Sequence, residues 1–232
     1  MEYKYCENGN FEDLASGRVI YGTPGVPNFP VRLGNEIYRR CVEYLSGKKT
    51  FTVYDPCCGG GYLLTVLGFG NSNITRLLAS DISEDMVSLT VRNLALLTRQ
   101  GLDARERELK EYFGQYQKPS HREALDSLAR LRNSLCHDVE SLAFTADCTG
   151  IIPLAETPDI IITDVPYGNL AMWESSEKDS LREMYLQLSK IAHPHTILAV
   201  IMDKGQKYQG DAWVRLERQM IGKRKFEIYR LR

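Results

Sequence analysis

The sequence predicts an α/β domain: a mostly parallel sheet wound on both sides by helices, closing in a β-hairpin and carrying a helical insertion. Three observations lead there. From Thr50 to Met202, short apolar runs of strand length alternate with amphipathic stretches of helical period, the pattern of a parallel sheet with helical crossovers. In Phe51 to Thr65, FTVYDPCCGGGYLLT, an apolar run ends at Asp55-Pro56 and passes through Gly59, Gly60 and Gly61 into an apolar helix. Residues without a Cβ let the backbone turn sharply there and come close to a ligand. At the far end, 212–221 and 224–231 alternate apolar and polar residues around Ile221-Gly222-Lys223, which reads as a hairpin.

Residues 1–29 are rich in Gly, Asn and Pro; GRVIYGTPGVPNFP alone holds three of each of Gly and Pro, so this is an irregular extension draped over the core. Pro30 suits a helix start, and Val31, Ile37, Cys41, Val42 and Leu45 recur at helical spacing. Strand one is Thr50–Tyr54, and helix A runs from Tyr62 to about Leu67, ending near Gly68 and Gly70. Strand two, Ile74–Ser80, ends at Asp81, and helix B, Glu84 to about Thr98, has Ser83 as its N-cap. Residues 100–138 form the insertion, since such units connect their elements in about two to six residues. Two helices are expected in it, 104–116 and 120–135, the second opened by the capping box Ser120-x-x-Glu123 and packed through Leu125, Leu128, Leu131 and Leu135. Arg105, Arg107, Lys110, Lys118, His121, Arg122, Arg130 and Arg132, mixed with acids, read as its solvated face. Strand three (142–146) ends at Asp147, strand four (160–163) at Asp164; helix D is 177–191 and strand five 196–202.

The 232 residues, 43% hydrophobic and 25% charged, make one sizeable domain, 1–232, of ordinary globular composition. No apolar run reaches bilayer length and MEYKYCENGN has no apolar signal core, so a soluble, cytoplasmic, monomeric protein without membrane contact is expected. The six cysteines form no C-x-x-C pair, which suggests neither zinc nor a disulfide framework; no metal is expected. A net charge of −1 argues against indiscriminate polyanion binding. The charge is uneven, however: Lys204 to Arg232 contains nine Lys or Arg against Asp211, Glu217 and Glu227.

The glycine turn belongs to a small-molecule cofactor. Leu64 stands where a dinucleotide fingerprint needs its third glycine, and Asp55 would repel a pyrophosphate. The stretch resembles motif I of the S-adenosyl-L-methionine (SAM) methyltransferases, whose acidic residue at the end of strand one helps hold the methionine end of a cationic cofactor. Asp81, some 20 residues on at the tip of strand two, is placed for both ribose hydroxyls; its ordinary alternative is a turn cap. Asp55, Cys57, Gly59, Gly61, Asp81 and the adjoining Ile82 form the expected cofactor set, and the resemblance adds Asp147 as an adenine contact, or else a structural turn residue.

The ends of strands one and four face one crevice in such a sheet, which puts Asp164-Val165-Pro166-Tyr167 beside the cofactor. This tetrapeptide resembles the Asp/Asn-Pro-Pro-Tyr/Phe motif of methyltransferases acting on planar nitrogens, departing at Val165. A carboxylate at Asp164 can take the acceptor's N–H proton, Tyr167 offers a flat face to a splayed base, and Pro166 stiffens the turn. TPGVPNFPVRLGNEIYRR, YDPCCGGGYLLTVLG, ASDI, NLALLT and TDVPYGNLAMWE, in this order, resemble the avilamycin-resistance family of 23S ribosomal RNA methyltransferases from about Ser16 onward. The resemblance implies a Rossmann-like class I SAM-dependent methyltransferase fold. It also implies methylation of a guanine, at N1 or N2, in 23S ribosomal RNA or the large subunit, with resistance to a ribosome-targeting antibiotic. Lys204, Lys207, Lys223, Arg224 and Lys225 are the expected RNA contacts. Competing readings are a DNA or protein-glutamine methyltransferase, and a catalytically silent RNA-binding protein; intact Asp81 and Asp164 argue against the last.

Overall fold

A computed structural model describes residues 1–22, 28–165, 177–208 and 210–232. Its elements in chain order are α1 (Glu12–Ala15), α2 (Val31–Glu43), β1 (Phe51–Asp55), α3 (Tyr62–Gly70), β2 (Ile74–Asp81), α4 (Glu84–Ala95), α5 (Arg99–Tyr116), α6 (Pro119–Ser134), β3 (Glu140–Thr145), β4 (Ile160–Asp164), α7 (Glu177–Ile191), β5 (Ile197–Asp203), β6 (Trp213–Ile221) and β7 (Arg224–Leu231). The strands form one sheet in the order β3-β2-β1-β4-β5-β7-β6. β1 to β5 pair in parallel, while β7 runs antiparallel to β5 and β6 antiparallel to β7. The order reverses between β1 and β4, and ligands of open α/β sheets bind outside the carboxyl ends at such a switch point.

Alternation along the strands builds two cores. Val53, Leu77, Ile160, Ile162, Ala199 and Ile201 point to the side covered by α2 to α6. Tyr54, Leu78, Ile161, Leu198, Val200 and Met202 point to the other, against Leu181, Met184, Tyr185 and Leu188 of α7. Strands buried on both faces read as continuous apolar runs, and ILAVIM in β5 is one. No described helix is long and apolar enough to cross a membrane.

Several local expectations are corrected. Helix B stops at Ala95, because Thr98 turns the chain and its Oγ1 accepts a bond from Gly101 N–H to open α5. Helix A continues through Gly68 to Gly70. Gly68 is no terminator: Leu97 packs so closely that a Cβ there would meet its Cδ1 at 2.4 Å. The capping box at Ser120 does not form. Pro119 fits the first helical position, so Lys118 becomes the N-cap, and Glu123 pairs with Arg18. Arg105 leaves the solvated face altogether: it is buried, bonds Val19 O and Glu108, and lies over the Tyr21 ring. The first residues are tied down by Glu36, whose carboxylate accepts the N–H groups of Lys4, Tyr5 and Cys6 at 2.8, 2.9 and 2.8 Å.

Candidate active site

β1 delivers Asp55 to the carboxyl edge, where the chain turns through 56–61 into α3. Gly59 and Gly61 have φ of 51° and 73°, a region that side chains with a Cβ avoid. At Gly61 a Cβ would also strike Thr90 at 2.8 Å, and at Gly60 Leu89 at 2.6 Å, so α4 closes one wall of the turn. At Gly59 a Cβ would meet nothing within 4 Å: the loop presents bare backbone to open space.

Two polar residues of α4 hold this shape. Thr90 Oγ1 donates to Gly59 O at 2.7 Å, and Asn93 Nδ2 donates to Gly60 O at 2.7 Å. Neither was singled out in the sequence, although both break the apolar inner stripe of helix B, and buried polar groups need partners. Asn93 also bonds both the N–H and the C=O of Tyr21, fastening the N-terminal extension to the turn.

Asp81 closes the circuit. Its Oδ2 accepts Gly59 N–H at 2.9 Å and its Oδ1 accepts Ser83 N–H at 3.0 Å. Each carboxylate oxygen has a second lone pair, so the turn cap and the ribose contact are compatible. Beside it Ile82 is 58% exposed, an aliphatic face open to solvent next to the turn. Asp147, past the end of β3, is exposed, and its Oδ1 accepts both Thr149 N–H and Thr149 Oγ1 at 2.8 and 2.7 Å. Cys57 Sγ lies 3.4 Å from Cys148 Sγ between these loops.

Asp55 is the electrostatic centre of the loop. It is 2% exposed, and burial pushes its carboxyl up to about 7 against the pull of the Thr163 hydroxyl and Cys57 N–H. A buried acid at this value is drawn into its ionised form by a cation bound next to it. The bare glycine turn, Asp55, the free valences of Asp81 and exposed Ile82 therefore suit a ligand with a cationic end, a ribose and a flat apolar base.

At β4 the carboxyl edge presents Asp164, with Val165 buried behind it and its N–H bonded to Ile201 O. Asp164 is partly exposed and hydrogen-bonds the Arg224 guanidinium from the start of β7. Arg224 also faces the Phe29 ring, 5.6 Å from its centroid, and burial lowers it to about 10, which leaves it charged at neutral pH. Pro166 and Tyr167 lie outside the described residues. The basic set divides: Lys204, Lys207 and Lys223 are exposed, whereas Lys225 is 1% exposed and bonded to Glu227 at 3.2 Å. Lys225 is withdrawn from the RNA contacts, because its strand position points it into the sheet's packing. Arg224 is turned toward Asp164, a pairing across 60 residues that no local pattern announces.

Comparison with known proteins shows the family and the fold. The model of the rRNA methyltransferase AviRa family matches residues 1–224. A curated relative, the 23S rRNA (guanine(2535)-N(1))-methyltransferase of Streptomyces viridochromogenes, is 36% identical over 228 residues, covering 94% of this chain and 91% of its own. The solved structure of rRNA methyltransferase AviRa from that organism superposes with a TM-score of 0.90 at 34% identity, over 99% of this chain and 96% of its own. TrmN from Thermus thermophilus shares the fold alone, at a TM-score of 0.55 and 10% identity, over 94% of this chain and 52% of its own. The fold is thus the Rossmann-like methyltransferase fold, and the chain belongs to the AviRa family of ribosomal RNA methyltransferases.

Proposed function

We propose that this protein transfers a methyl group from SAM to N1 of a guanine in 23S ribosomal RNA. The observation that carries the reading is Asp164 at the end of β4, across the switch point from the Asp55 to Gly61 turn, in a chain 36% identical to a 23S rRNA guanine-N1 methyltransferase. Family membership favours RNA over DNA or protein as acceptor, and an enzyme over a silent binder.

SAM supplies an electrophilic methyl on a positively charged sulfur. Asp55 would face its cationic methionine end, Gly59 would let the backbone approach it, Asp81 would accept from the ribose, and Ile82 and Asp147 would border the adenine. N1 of guanine carries a proton and has no free electron pair for attack, so Asp164 takes the N1–H as the N–C bond forms and the carbon–sulfur pair returns to sulfur. Loss of that proton spreads negative charge to guanine O6. Arg224, already on Asp164, is the cation beside it, a preorganised donor aimed where charge develops. Tyr167, from the sequence motif, is the face on which the splayed base rests. One chain supplies all these roles, so a monomer without metal suffices.

The test is transfer of tritiated methyl from SAM to 23S rRNA, followed by reverse transcription. A methyl on N1 blocks Watson–Crick pairing and stops the polymerase one nucleotide short, whereas a single N2 methyl is read through. Label with a discrete stop supports the reading; label without a stop moves the acceptor to N2, and no label on free rRNA or the large subunit overturns it.

A further inference from the structure

The outer end of the α5–α6 hairpin has no part in the site above. Every residue from Glu111 to Ser120 is exposed, among them Tyr112, Phe113 and Tyr116 at 40%, 36% and 59%. His121 joins them, its ring centroid 6.0 Å from those of both Tyr112 and Tyr116, and Lys118 Nζ stands 5.8 Å from the Tyr116 ring. From Lys110 to Arg122 the cations are Lys110, Lys118 and Arg122 and the one acid is Glu111; Lys110 pairs with Glu106 at 2.6 Å, so Lys118 and Arg122 are the cations of the rim. An exposed aromatic shelf rimmed by positive charge is the composition that stacks unpaired bases and holds their phosphates.

Its position is fixed by contacts at both helices. α5 begins beside the amino end of β3, where Arg99 N–H bonds Asp138. Through Glu108 it is tied to the cofactor turn: Gly60 O accepts from Asn93, Asn93 bonds the Tyr21 backbone, and Tyr21 OH donates to Glu108 at 2.7 Å. Tyr112 OH bonds the same carboxylate. On α6, Arg130 bonds Asp13 of α1, the helix whose Leu14 O accepts from Tyr62 at the start of α3. From the Arg99–Asp138 bond, α5 climbs about 25 Å to Tyr116 at about 1.5 Å per helical residue, and the chain from Asp138 to the end of β3 climbs about 23 Å at about 3.3 Å per extended residue, so the shelf reaches about the level of the carboxyl edge of the sheet. That is the side from which a nucleic acid must approach.

We propose that this hairpin end is a second RNA contact, on which Tyr116 and Phe113 stack an unpaired base of the ribosomal RNA while Lys118 and Arg122 meet its phosphates. The proposal rests on RNA being the substrate, and it is tested by binding as well as by turnover. The variants Tyr116→Ala with Phe113→Ala, and Tyr116→Phe alone, are titrated with deproteinised 23S rRNA and with SAM. Losing the stack should weaken rRNA binding about 5- to 150-fold per base, while SAM affinity and Tm stay at parental values. Tyr116→Phe should bind like the parent. Lys118→Gln with Arg122→Gln should lower the slope of log K against log salt by about 0.7 per lost phosphate. Unchanged rRNA affinity and slope overturn the proposal. So does weakened action on the large subunit with free rRNA unaffected, which assigns the shelf to a ribosomal protein. A parent that binds 23S rRNA without methylating it sinks the catalytic reading alone, since the shelf is still scored by affinity.

Discussion

SAM affinity should depend on pH through Asp55. With its carboxyl pushed up to about 7 by burial, the free enzyme holds this group about nine-tenths protonated at pH 6 and about one-tenth at pH 8. If the cationic ligand binds the ionised form, affinity rises about tenfold over that interval, or about 1.4 kcal/mol. At pH 7 each binding event should release about half a proton, read by calorimetry as a dependence of binding enthalpy on buffer ionisation enthalpy. SAM's own amino group titrates near the top of this range, and Asp55→Asn is the control: it keeps the ligand's contribution and removes the protein's. The linkage has a definite sign. The folded state keeps the Asp55 proton up to about pH 7, whereas the unfolded chain releases it near 3.9, so this group's stabilisation is full below pH 4 and declines as pH rises to 7. About three pH units at about 1.4 kcal/mol each bound that decline near 4 kcal/mol, and Asp55→Asn should flatten it. A change in SAM affinity from pH 6 to 8 that is the same in the parent and in Asp55→Asn would refute the assignment of Asp55 to the cationic end.

Asp164→Ala should lower turnover by about a hundredfold or more with SAM and rRNA binding retained, and Arg224→Gln by a comparable 10²- to 10³-fold, the scale of about one lost charge-stabilising donor; single-turnover methyl transfer checks both, and full activity in either displaces the site. Lys225→Met should cost stability and leave rRNA salt dependence untouched. Because Glu227 keeps Arg215 and Arg218 at 3.4 Å, the loss should fall at the low end of about 3–5 kcal/mol in thermal denaturation; a changed salt slope would return Lys225 to the RNA contacts. Gly101→Ala puts a Cβ 1.8 Å from Ala95 O, a backbone atom, so Tm should drop by several degrees at least, and a variant as stable as the parent would show that α5 can shift freely on α4.

Where a feature was written in neighbouring residues, it could be read without coordinates. Helix D at Glu177–Ile191 and the hairpin around Gly222-Lys223 stand where their periodicity put them, because helical and strand periods act within a few residues of themselves. The turn at Asp55 to Gly61 was legible for the same reason: glycine is the residue favoured where φ is positive, and two of the three adopt it. Short-range signals failed where two of them competed, as at the start of α6, where Pro119 overrode the capping box at Ser120.

Charge was the least legible property. Composition shows that 204–232 is basic, but not which cations are spent inside the fold. The register of β7 on β5 and β6 decides that, sending Lys225 inward to Glu227 and Arg224 to the end of β4. Likewise Thr90 and Asn93 became the supports of the glycine turn only once α4 packed against it. The sequence by itself determined the order of elements, the cofactor turn and the candidate acid, since each depends on local backbone geometry. The tertiary structure alone decided which charges meet, because a Coulomb or hydrogen-bonded pair depends on distance in space, and Asp164 and Arg224 are 60 residues apart until the sheet closes.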